Sequence, residues 1–194
     1  MKFHTTFFCA AFRRWAAVAV ACGLGWGAGA SGLRHEAGLH EEAEVKAVLL
    51  YNFAHFVEWP AGAFAEPDAP LVIGILGYDP FGRALDELVE HETVDGHRIE
   101  VVRFRDAGKA ASSHLLFISS SERGASGSIL KALRGRPILT VADFDHFLER
   151  GGVVQLYRGA NNKVRLRVNL AAAREASLTL SAKLLRVADT VQPQ

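Results

Sequence analysis

The sequence predicts an α/β fold: a three-layer sandwich with a mixed, mostly parallel central sheet, helices on both faces, and a C-terminal antiparallel hairpin followed by helix. Three observations predict it. Short apolar runs alternate with helix-patterned segments between residues 71 and 150, the signature of parallel strands joined by crossover helices. The first run, "LVIGIL" at 71–76, is continuous, which suits a strand covered on both faces. Near the end, 152–158 and 163–169 flank Gly159-Ala160-Asn161-Asn162, a hairpin signal that makes the sheet mixed.

Taken in order, the chain opens with a leader. Lys2, Arg13 and Arg14 give a basic start, and "WAAVAVACGLGW" at 15–26 is apolar but short of the roughly 20 residues of a membrane span. Ala28-Gly29-Ala30 fits a small-x-small cleavage site. Residues 1–30 are therefore expected to be a secretory signal peptide cleaved near Ala30. A twin-arginine route through Arg13-Arg14 and lipid attachment at Cys22 stay open as variants. Residues 31–40 read as a linker and 41–191 as one domain. From His40 to Trp59, Val45, Val48, Leu49, Phe53, Phe56 and Val57 recur at helical spacing, with Glu41, Glu42 and Glu44 in the first turn, where they suit the helix dipole. On that helix Phe53, Phe56, Val57, Val45 and Leu49 form the expected core face. Tyr51, His55 and Glu58 lie elsewhere, with Asn52 and Trp59 flanking. Pro60 and Gly62 close the element.

A Pro-containing loop (66–70) leads to the strand at 71–76, and "GYDPFG" at 77–82 breaks it. Helix is expected at 83–91, a turn at Asp95-Gly96, and strands at 98–104, 114–119 and 137–141. A helix at 125–134 separates the last two strands, and a short helix is expected at 143–150. After the hairpin, Leu170 to Val191 reads as an Ala/Leu-rich helix or helix pair.

Composition narrows the function. The 194 residues are 49% hydrophobic and 22% charged, as in a globular domain. A net charge of +1 lacks the basic field that a nucleic-acid binder uses to displace counterions. Without the leader's three cations, 19 Lys+Arg face 21 Asp+Glu. Both cysteines, Cys9 and Cys22, fall in the leader, so the body is expected to hold no disulfide. No metal or other cofactor is expected. His35, His40, His55, His91, His97, His114 and His146 show no zinc spacing, and HExxH is missing. "GYDPFGR" has Arg83 and Ala84 where a phosphate loop has Lys and a hydroxyl, and neither G-x-G-x-x-G nor G-x-S-x-G occurs. These absences point away from an enzyme.

Polar residues follow three of the strands: Tyr78 and Asp79, then Ser119, Ser120, Ser121 and Glu122, then Asp143. If the strands are parallel, these residues share the carboxyl edge where α/β folds bind ligands. They are either helix caps or a small-ligand cleft holding Ser119, Ser121 and Asp143. In "KVRLRVN", Arg165 and Arg167 alternate with apolar residues. They form either a solvated face or a site for an acidic partner or anionic ligand.

"VKAVLLYNFAHFVEWP" at 45–60 resembles the N-terminal signature of the YfiR-like family of exported bacterial proteins. The blocks "VIGILGYDPFGRALDEL", "LLFISSSE", "ILTVADFDHFLERGGVVQL" and "VRLRVNLAAAREASLTLSAKLLRVA" follow in the family's order. The resemblance implies a periplasmic, non-catalytic regulator that binds the periplasmic sensor domain of an inner-membrane diguanylate cyclase. It would repress that enzyme, lower cyclic di-GMP and restrain biofilm formation. It also implies a homodimer and an outer-membrane-associated sequestering protein. Tyr51, Asn52, Phe56, Trp59, Asp79, Phe81 and Glu122 are the candidate partner contacts. Ser113 stands where the family leads one to expect a cysteine. The alternative reading is a periplasmic receptor domain for a nucleotide or amino-acid-like ligand.

Overall fold

A computed structural model describes residues 30–161 and 163–191. The expected leader, with Cys9 and Cys22, lies outside these residues except for Ala30. In chain order the elements are α1 (Ala30–Phe56), β1 (Val57–Glu58), β2 (Leu71–Leu76), α2 (Arg83–Val89), β3 (Thr93–Val94), β4 (His97–Phe104), β5 (Leu115–Ile118), α3 (Ser126–Leu133), β6 (Leu139–Ala142), β7 (Val154–Arg158), β8 (Val164–Asn169), α4 (Leu170–Glu175), β9 (Thr179–Leu180), α5 (Ala182–Val187) and β10 (Asp189–Val191).

Eight strands form one sheet in the order β10-β8-β7-β6-β5-β2-β4-β3. Strands β4, β2, β5, β6 and β7 run parallel. The β7–β8 hairpin is antiparallel, with Leu156 opposite Leu166. So is β3–β4, whose turn holds Asp95 and Gly96 at φ 51° and 91°, the left-handed pair of a tight hairpin. Strand β10 adds to β8 in parallel. Strands β1 and β9 pair separately.

Alternation along buried strands builds the three layers. Leu115 and Phe117 of β5 face one core with Leu50 and Phe53 of α1, Leu85 of α2, Ala173 of α4 and Leu184 of α5. Leu116 and Ile118 face the other, with Ile129, Leu130 and Leu133 of α3 and with Phe144 and Phe147. The sandwich, the mixed sheet and the hairpin followed by helix all stand as predicted.

Local expectations are corrected at four places. The helix continues back through 31–39, where a linker was expected; Leu33, Arg34, Glu36 and Ala37 are good helix formers. It ends at Phe56 because β9 pairs with Val57 and Glu58 and because Trp59 precedes Pro60, which disfavours helical geometry. Its buried face is Ala47, Leu50, Phe53 and Ala54, while Val45 and Val48 remain 43% and 45% exposed. Residues 143–150 form turns rather than a helix. His146 sits at φ 63°, and Phe144 meets Phe147 edge-on at 5.4 Å. The C-terminal segment is the expected helix pair, α4 and α5, with β9 and β10 interleaved and Ser177 at φ 57° turning the chain after α4.

Candidate functional site

The strand directions fix two edges, and α1 spans both. Lys46 of α1 reaches Asp143, just beyond the carboxyl end of β6. Trp59, just past α1, donates Nε1–H to the carbonyl of His114, just before β5, at 3.2 Å. The helix therefore runs opposite to the parallel strands.

The three polar clusters do converge on the carboxyl edge, but they are engaged with the protein itself. Asp79 Oδ1 accepts the backbone N–H groups of Phe81 (2.7 Å) and Gly82 (3.2 Å), closing a turn. Its Oδ2 accepts from Arg103 Nε at 3.0 Å. The same guanidinium grips both oxygens of Asp86 (2.6 and 2.5 Å) and donates to the carbonyl of Gly82 at 2.7 Å. That fork holds the Asp86 carboxyl below its ordinary range and raises the Arg103 guanidinium further.

Ser119 is buried and its Oγ accepts from the Ser121 amide at 3.4 Å. Ser121 Oγ accepts from the Tyr78 amide at 3.0 Å and donates toward Glu122 at 3.4 Å. The two loops touch so closely that a Cβ on Gly77, at φ 89°, would sit 2.3 Å from Ser121 Oγ. Asp143, 16% exposed, takes Lys46 Nζ at 2.6 Å, and Lys46 also meets Glu42 at 2.7 Å. Glu42 in turn pairs with Arg158. Asp143 Oδ1 has no hydrogen-bond partner among the described residues. These groups brace loops: Ser119 caps the short turn that follows β5, Ser121 holds the Tyr78 amide of the neighbouring loop, and Asp143 takes a lysine instead of a helix amide.

Arg165 and Arg167 lie on β8, three strands away from β5 in the sheet order, so they do not join Ser119 and Ser121. Arg167 lies over the Tyr157 ring at 4.0 Å, and Tyr157 donates to Asp189. Arg165 is exposed.

The candidate partner residues are divided. Phe81 is corrected: at 4% exposure it belongs to the core, edge-on to Phe117 at 4.9 Å. Tyr51 is half-buried; its hydroxyl donates to Glu92 at 3.0 Å, and its ring meets His55 at 4.8 Å. Burial, then the Glu92 hydrogen bond and charge, push that phenol up to about 12. Phe56 packs half-buried against the core. Asn52 is half-exposed on the same helical strip as Val45 and Val48. Trp59 is at the amino edge, opposite to Asp79 and Glu122, so no one surface gathers all seven.

The amino edge holds what the sequence reading missed. His114 is buried between two backbone groups: Nδ1 accepts the Val72 N–H at 3.0 Å and Nε2 lies 3.2 Å from the Ala63 carbonyl. One partner donates and the other accepts, so the ring is neutral with its proton on Nε2. Burial pushes its pKa down, opposed by the Ala63 bond and aided by nearby His97. The Phe64 ring stacks on His97 at 3.8 Å and on His114 at 4.4 Å, and His97 Nδ1 donates to the Ala69 carbonyl at 2.6 Å. This stack fixes the loop from Trp59 to Pro70. An open groove of about 600 Å³ lies between that loop and the β3–β4 turn. The only sequence signal was an aromatic and proline content in 59–70; His97 and His114 join it solely through the fold.

Among the described residues no three His, Cys, Asp or Glu side chains are placed to hold a metal ion. No described helix is long and apolar enough to cross a membrane.

A family model described as YfiR/HmsC-like matches residues 43–189. No curated protein matches the sequence. Two solved structures are similar in part. One is a conserved domain protein from Vibrio cholerae O1 biovar El Tor, at 14% identity and a TM-score of 0.43, covering 62% of this chain and 54% of that one. The other is an ABC domain from Streptococcus pneumoniae solved with L-Trp, at 12% identity and a TM-score of 0.44, with the same coverages of 62% and 54%. The match thus spans about half the length of each.

Proposed function

This chain belongs to the YfiR/HmsC-like family, and on that premise we propose that it is an exported periplasmic regulator that binds the sensor domain of an inner-membrane diguanylate cyclase and represses it. The match across 43–189 is the observation that carries this reading. Repression needs no chemistry from the regulator. It needs only a higher affinity for the inactive conformation of its target than for the active one.

The solvent strip of α1 is the contact surface that the geometry favours. Val45 and Val48 lie there with Asn52. Asp79 and Glu122 form a second contact at the carboxyl edge, and Phe81 drops out of the surface. A homodimer and an outer-membrane-associated sequestering protein complete the proposal. Deleting the gene should raise cyclic di-GMP, and the wild-type chain should restore it. A Val45→Asp/Val48→Asp chain that melts like wild type should fail to restore it. Unchanged cyclic di-GMP after deletion refutes the reading.

A further inference from the structure

The groove at the amino edge has a composition that selects its occupant. We propose that it binds an extended basic peptide segment of a partner protein, with aliphatic residues between its Lys or Arg side chains. This rests on the groove alone and not on the family reading. The walls are apolar: Trp59, Phe64, Pro67, Leu71 and Val94. The rim carries the carboxylates of Glu58, Glu66 and Asp95, all exposed. No lysine or arginine lines the groove. Among the described residues none of the three carboxylates forms an ion pair.

An apolar trough with an acidic rim complements a side chain that has a methylene stem and a cationic head. It repels phosphate and nucleic acid. The groove is open along one side, too wide to bury a small cation and suited to a chain segment. Strand β3, which supplies Val94, is the edge of the sheet. The loop wall is already fixed by the His97–Phe64–His114 stack, so little ordering is needed on binding.

The test uses the full chain and a fluorescein-labelled hexapeptide of alternating Lys and Leu, read by anisotropy, with a Glu–Leu hexapeptide as the control. The Lys–Leu peptide binds and the Glu–Leu peptide does not. Glu58→Gln/Glu66→Gln/Asp95→Asn weakens binding about tenfold, as expected for several rim pairs together. Asparagine tolerates the left-handed backbone at 95. High salt weakens binding similarly. Glu41→Gln/Asp145→Asn/Glu149→Gln, which neutralises exposed acids elsewhere, leaves the affinity within about twofold. The Trp59 indole N–H resonance shifts on titration. Equal losses in the two triple variants, equal binding of both peptides, or an unmoved Trp59 resonance overturns the proposal. So does an apparent Kd that rises with protein concentration, which would place a second copy of the chain in the groove.

Discussion

Changing Gly74 and Ser113 together tests how tightly the centre of the sheet is packed. Gly74 lies in β2 between β4 and β5. A Cβ placed on it would stand 2.2 Å from Ser113 Oγ and 2.9 Å from Leu116 Cδ1 and Phe104 Cε2. The Ser113 hydroxyl leans into the space that the glycine leaves, and it is buried without a hydrogen-bond partner among the described residues. An unpaired buried hydroxyl costs about 1–3 kcal/mol. Ser113→Ala should therefore stabilise the fold by about 1 kcal/mol once the small void is counted, raising Tm by about 2–4 °C. Gly74→Ala alone should cost about 1–3 kcal/mol by overpacking. In the Ser113→Ala background the 2.2 Å contact is gone and only two side-chain ends must yield. The double variant should then be more stable than the sum of the singles by about 1 kcal/mol. Urea unfolding of all four proteins, with m unchanged, measures this coupling. Additivity within about 0.5 kcal/mol, or a Ser113→Ala protein less stable than wild type, refutes the reasoning.

The remaining predictions concern charges and one imidazole. Lys46→Met strands Asp143 at 16% exposure and should cost about 2–3 kcal/mol, read by thermal unfolding; Lys46→Met/Asp143→Leu should recover most of it. Arg103→Lys loses the fork to Asp79, Asp86 and Gly82 and should cost about 1 kcal/mol at this partly exposed site, again by melting. His114 is neutral when folded and its pKa is lowered. Its contribution is therefore full above the unfolded value near 6.5 and declines as pH falls from there toward the folded pKa, because the unfolded chain takes up the proton first. Urea unfolding at pH 7.5 and 5.5 should show that loss, and His114→Asn should shrink the pH-dependent difference.

Strands were legible because burial on two faces leaves a plain mark. "LVIGIL" gave β2 to the residue, and "LLFI" gave β5 as the core of a longer run. The roll of α1 was not legible. Val45 and Val48 outweigh Ala47 and Ala54 on any count of hydrophobicity, yet the alanines face the core. Small side chains fit a helix lying against a sheet, and the inward pull of Lys46 on Asp143 selects the same face. At 143–150 the spacing of Phe144, Phe147 and Leu148 suits a helix, but it is met by turns over a buried cluster. The carboxyl-edge cluster was legible as a location and not as a use: sequence cannot show that Ser121 is already accepting from Tyr78. The amino-edge groove was illegible because its residues, from Glu58 to His97, meet only after β2, β4 and β5 have paired.

α1 is tied to the sheet at two points, by Lys46 near its middle to Asp143 and by Trp59, just past its end, to the His114 carbonyl. A rod clamped in this way cannot twist freely in place. Val45 and Val48 are thus held about 4.5 Å apart along its axis, like two studs on a fixed bar. Whatever grips them must adapt its own shape, and the strain of the encounter falls on the visitor.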